Sequence, residues 1–222
     1  MIDYRFYKEG TLIVSFEVDP KRKYQHKEIQ PSDAEWTHLE YRKCKNCPLS
    51  KEDYPHCPAA IDVKDIADHF SNIISFERVT VEVVTDIRVF RKECDVQTAL
   101  RSLNGLVMAT SACPILDRLR FMAQFHLPFA NVEETLFRTA STYLLQQYFQ
   151  YQRSGQADWD LVGLRRIYQD LETVNQSFKK RIESASEADA NMNAIGSLFY
   201  LGSAITISID EQLAELEEIL HV

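Results

Sequence analysis

The apolar residues of this chain change period once, and that change limits what it can fold into. Up to residue 92 they alternate with polar ones: Tyr4 and Phe6, then Leu12, Val14, Phe16 and Val18, later Val79, Val81 and Val83, then Ile87 and Val89. A spacing of two turns one side of an extended strand to a core and the other to water. From Asp95 the spacing becomes three and four. Val96, Ala99, Leu100, Leu103, Leu106 and Val107 then share one face of a helix that ends near Met108. Strands gathered in one half and helices in the other predict an α+β fold.

In the first half, the glycine of Lys8-Glu9-Gly10 suits a hairpin turn, and Thr85-Asp86 turns a second hairpin. A polar segment, 19–33, leads to a further candidate strand at 35–42. Asp62 reads as the N-cap of a short helix burying Val63, Ile66, Ala67 and Phe70. The expectation is an N-terminal antiparallel sheet of four or five strands.

In the second half, Asn131 with Glu134 makes a capping-box start for a helix over 132–153. It is apolar on several sides (Leu136, Phe137, Ala140, Tyr143, Leu144, Leu145, Phe149, Tyr151), which predicts a central place in a bundle. A short link at 153–157 leads to a helix over about 158–185. Its seam, Leu161, Leu164, Tyr168, Leu171, Asn175, Phe178 and Ile182, alternates threes and fours. So short a link predicts a long antiparallel helix pair. Ser208 with Glu211 suggests another capping box opening a final helix with five acids and no Lys or Arg. The halves, 1–93 and 94–222, are read as one composite domain.

Charge narrows the partners. The net charge is −8, and residues 158–222 hold 12 acids against 5 bases, while residues 1–60 balance at 10 each. An acidic helical surface disfavours nucleic acid and leaves a protein partner as the reading for those helices. The N-terminus shows no basic-then-apolar signal, and the longest uncharged run, 190–209, is too polar for a lipid-facing span. The expectation is a cytoplasmic protein whose five cysteines are reduced.

Four of those cysteines form the strongest motif. Cys44 and Cys47 make a C-x2-C pair, Cys57 follows after a loop, and Cys113 lies in a run of small residues after a helix. A C-x2-C turn aims both sulfurs the same way, as tetrahedral zinc or an iron–sulfur corner requires. Cys113 is the preferred fourth ligand over His56, which adjoins Cys57; Cys94 ends a strand and stands apart. Arg42, Lys43, Lys45 and Lys51 are expected to offset the thiolate charge. Proline follows Cys47, Cys57 and Cys113, which takes three of the seven prolines. It deletes the first backbone donor that a structural zinc site uses, and it occurs in ferredoxin-type ligation. Zinc is therefore favoured over a 4Fe-4S cluster by a narrow margin, with a redox thiol pair or unrelated buried thiols as the other readings.

A second candidate is the stretch after Cys113, where Arg118, Arg120 and His126 precede a helix start. An anion held by arginine with His126 moving a proton would make an enzyme; a hydrogen-bonded core histidine among Phe125, Leu127 and Phe129 is the plainer reading. No G-x-S-x-G, P-loop or G-x-G-x-x-G occurs. Tyr143, Tyr148, Phe149 and Tyr151 are read as bundle core. On C-x2-C-P…H-C-P, Thr110-Ser-Ala-Cys-Pro114 and Phe125-His-Leu-Pro-Phe-Ala130, the sequence resembles an uncharacterised family of bacterial proteins of about this length. That resemblance implies a bacterial cytoplasmic setting and carries over no functional residue. The resulting expectation is a zinc-binding structural protein acting as an interaction or regulatory module.

Overall fold

The computed structural model describes residues 1–22 and 32–220, except for the side chains at 205–209, 212 and 220. Most of the polar segment expected at 19–33 lies outside them. Four strands, β1 (Ile2–Lys8), β2 (Thr11–Val18), β3 (Arg78–Thr85) and β4 (Val89–Asp95), form one antiparallel sheet in the order β2-β1-β3-β4. Glu9 and Gly10 both take positive φ at the first hairpin, where that conformation is required. Tyr4, Phe6, Val81 and Val83 are wholly buried on the inner face. The outer face carries the Arg5–Asp3 and Arg91–Glu82 ion pairs and a Tyr7–Glu82 hydrogen bond.

The further strand expected at 35–42 does not form. Trp36 and Thr37 are buried in a single 3-10 turn, Glu35–Thr37, with the Thr37 hydroxyl donating to Ala34 O, and only an isolated bridge joins His38 to His56. Two large buried residues in succession cannot both face inward from a strand.

Helix α1 (Pro58–His69) and helix α2 (Val96–Ala109) cover the inner face. Phe70, at the end of α1, meets Phe6 with ring centroids 5.1 Å apart, and Tyr4 Oη lies 2.7 Å from Ser102 Oγ on α2. Asp62 is not the N-cap of α1, because the helix starts one turn earlier with Cys57 as N-cap and Pro58 at its first position. Asp95 caps α2, its side chain accepting from Thr98 N.

After the short α3 (Arg120–Gln124) come three long helices: α4 (Val132–Ser154), α5 (Val162–Ile182) and α6 (Ala190–Leu220). The Asn131/Glu134 capping box opens α4, and every residue of the α5 seam is buried. Asp158 supplies the N-terminal cap of α5, accepting from Val162 N and Gly163 N. Helices α4 and α5 run antiparallel, with Thr139 bonded to Tyr168 and Gln147 to Asp158. Helix α6 returns along α5, so that Asn175 faces Gly202 and Arg165 pairs with Asp210. It is continuous through Ser208, so no new helix opens there.

Helix α4 corrects a second expectation. Only Leu136, Thr139, Ala140, Tyr143 and Gln147 are buried, while Phe137, Leu145, Tyr148, Phe149 and Tyr151 lie on the surface. It flanks the bundle instead of forming its centre, and of the aromatic run only Tyr143 is core. One hydrophobic core runs through both halves of the chain. Among the described residues, no helix is long and apolar enough to cross a membrane.

Candidate metal centre

The cysteines come from three places in the chain and meet beside a fourth element. Leu39 N donates to Pro55 O and Cys57 N to Thr37 O, closing the excursion from 38 to 57 into a loop fastened at its base. Within it, Cys47 N donates to Cys44 O at 3.0 Å, the tight turn that a C-x2-C spacing permits. Cys113 follows α2, where the Thr110 and Ser111 hydroxyls bond back to helix carbonyls and turn the chain sharply. The fourth element is α5, whose Ser177 and Arg181 lie against the cluster.

The thiols feel one another. Burial pushes Cys44 up to about 12, and prospective charge on Cys57, Cys113 and Cys47 raises it further, while the Ser177 hydroxyl opposes the shift. Burial likewise raises Cys113 to about 11, with Cys57 and Cys47 adding to the rise. Cys57 is also raised by burial, against the pull of Arg181. At neutral pH all three therefore carry protons, which makes them poor nucleophiles and a poor redox pair. Cys94 is buried in β4, where its thiol is raised by burial and by Asp95, and it takes no part in this coupling.

Backbone donors serve two of the sulfurs in the same way. The N–H groups of Ala59 and Ala60 favour a Cys57 thiolate, and those of Ile115 and Leu116 favour a Cys113 thiolate. In both places proline removes the donor one residue after cysteine, and the next two residues supply it. Pro58 is suited to the first helical position, where its missing N–H leaves no bond unmade. One of the three Cys-Pro steps, Cys57-Pro58, is thus a helix start with proline at its first position, and that step needs no iron–sulfur explanation.

Arg181 is the residue that sequence inspection missed. It is 2% exposed, donates to the carbonyls of Trp36, His38 and Leu39, and has no carboxylate partner among the described residues. A buried guanidinium bonded only to neutral carbonyls has no balancing charge among them, and it bears on the Cys57 sulfur, whose thiolate it favours. Of the cations expected in this role, Lys43 bonds Glu40 and also feels Cys47, while Arg42 lies over the Tyr41 ring. His56 bonds Thr37 through Nδ1 and packs on His38. As the side chains stand, no group of three His, Cys, Asp or Glu among the described residues is arranged to hold a metal ion. The four sulfurs are electrostatic neighbours, and a coordination sphere would require them to draw together.

A family model described as Domain of unknown function (DUF6901) matches residues 2–221. The chain belongs to this family. No curated protein and no solved structure matches it significantly. The second candidate of this DUF6901 chain does not assemble as expected. Arg118 pairs with Asp170, and Arg120 bonds Asp117 and the carbonyls of Arg22, Thr110 and Ser111. Both line a surface cleft, whereas His126 lines a separate pocket and bonds Tyr4 Oη at 2.5 Å. Burial lowers His126 to about 3, so it stays neutral across the physiological range. The arginines and the histidine are not brought to one reacting centre.

Proposed function

We propose that Cys44, Cys47, Cys57 and Cys113 hold a structural zinc ion, fastening the loop over 38–57 and the turn after α2 to helix α5. One observation carries this reading. Thiols from three separate stretches of chain share one part-buried neighbourhood, and two of them sit at the donor ends of helical turns. Four thiolates around Zn²⁺ leave a net charge of −2, which burial penalises unless positive charge stands nearby. Arg181 and the paired N–H groups reduce that penalty. On this reading zinc is preferred to a 4Fe-4S cluster by a narrow margin, because Pro58 is accounted for by the start of α1. The function that follows is that of a cytoplasmic scaffold. Its acidic last turns, with Glu211, Glu215, Glu217 and Glu218 exposed, are the surface we propose for a protein partner.

Purification without oxygen, followed by elemental analysis and visible absorption, tests it. One zinc per chain in colourless protein is expected. A brown protein containing iron and sulfide would favour the cluster instead, and folded, metal-free protein would remove both readings. In Cys113→Ser, unaltered zinc content would take Cys113 out of the site.

A further inference from the structure

A cavity of about 160 Å³ lies among α2, α3, α4, α5 and α6, separate from the cysteines. Protein interiors are packed closely enough that voids larger than a water molecule are few. A space of similar volume accepts a benzene ring.

The sequence keeps this space open. Gly105 and Gly202 line it from the middles of α2 and α6, and neither has positive φ. A Cβ at Gly105 would meet Leu198 Cδ2 at 3.4 Å, and one at Gly202 would meet Asn175 Nδ2 at 3.8 Å. Both are ordinary contacts, so neither a turn nor close helix packing requires glycine there. Alanine favours a helix more, and what glycine adds at these positions is volume.

The walls are apolar with a few polar groups of one kind. Met108, Met122, Phe129 and Tyr168 are among the lining residues, and thioether and aromatic side chains suit a flat aromatic body. Asn175 is 8% exposed and lines the cavity. A buried amide facing such a space suits a ligand that carries a polar group within its reach. Arg101 and Arg138 also line the space, and neither has an ion pair among the described residues. Among the described residues no Asp or Glu lines it, in a chain of net charge −8. Arg138 spends Nη2 on the carbonyls of Met122 and Phe125, which leaves its remaining donors without a carboxylate. Tyr168, beside Arg138, and Asn175 stand seven residues apart on α5, roughly 10 Å at 1.5 Å per residue.

We propose that this cavity binds a small aromatic carboxylate, its ring among the methionines and its carboxylate at Arg138. A polar substituent at the far end of the ring would meet Asn175. The inference is independent of the metal reading. The test uses the full chain labelled at the methionine methyl carbons, titrated with 4-hydroxybenzoate and separately with phenol. Saturable shifts of the Met108 and Met122 methyl signals are expected with 4-hydroxybenzoate, and binding of phenol at least tenfold weaker. Arg138→Gln and Asn175→Leu should each weaken 4-hydroxybenzoate at least fivefold. Gly202→Leu, which fills the space, should abolish the shifts while the rest of the spectrum keeps its dispersion. Absence of saturable shifts in the folded wild-type chain, or equal affinity for phenol and 4-hydroxybenzoate, overturns the proposal.

Discussion

At the scale of single residues, the informative groups are those whose charge and surroundings disagree. Arg181 is buried with only carbonyl partners, and replacing it removes three donors at once. Arg181→Met should lower stability by about 3 kcal/mol and weaken zinc about tenfold, measured by urea unfolding and by competition with a chromophoric chelator. His126 gives the chain an acid limit. An unfolded His126 takes up a proton as pH falls through 6.5, whereas the folded one stays neutral down to about 3. The stability it contributes is complete above pH 6.5 and is lost progressively below, about 2 kcal/mol by pH 5. Urea unfolding at pH 7 and pH 5 checks this, and His126→Gln should flatten that part of the profile. The cysteine candidates were legible from spacing alone. Arg181 was not, because its burial depends on where the loop 38–57 lands on α5, which no local pattern encodes.

At the scale of elements, periodicity served best where one face was unambiguously apolar. The seam of α5 is buried at each of its seven positions, and the N-cap of α4 follows from Asn131 with Glu134. Helix α4 shows where the pattern loses its meaning. Its apolar residues surround the helix, so period alone could not say which face meets the bundle, and the surface keeps five large apolar side chains. The asymmetry is measurable. Leu136→Ala should cost about 2–5 kcal/mol in urea unfolding, while Phe149→Ser should change it by less than about 0.5 kcal/mol. Helix α1 was misplaced for another reason: Cys57 was read as a ligand and not as a cap, though a cysteine followed by proline can serve as both.

At the scale of the whole molecule, the α+β class was written in the change of period, whereas the joining of the two halves was not. The chain leaves the sheet after Val18 and re-enters it at Arg78, so that β1 lies between β2 and β3 with Tyr7 opposite Thr80. That central pairing sets the order in which the protein can assemble. The β1–β2 and β3–β4 hairpins close over short turns and need nothing else, whereas the seam between them joins distant positions and carries the larger loop-closure entropy. Docking of two preformed hairpins should therefore be the slow event in refolding. Pulse-labelling hydrogen exchange would register it within one strand: amides of β1 that face β2 should gain protection earlier than those that face β3.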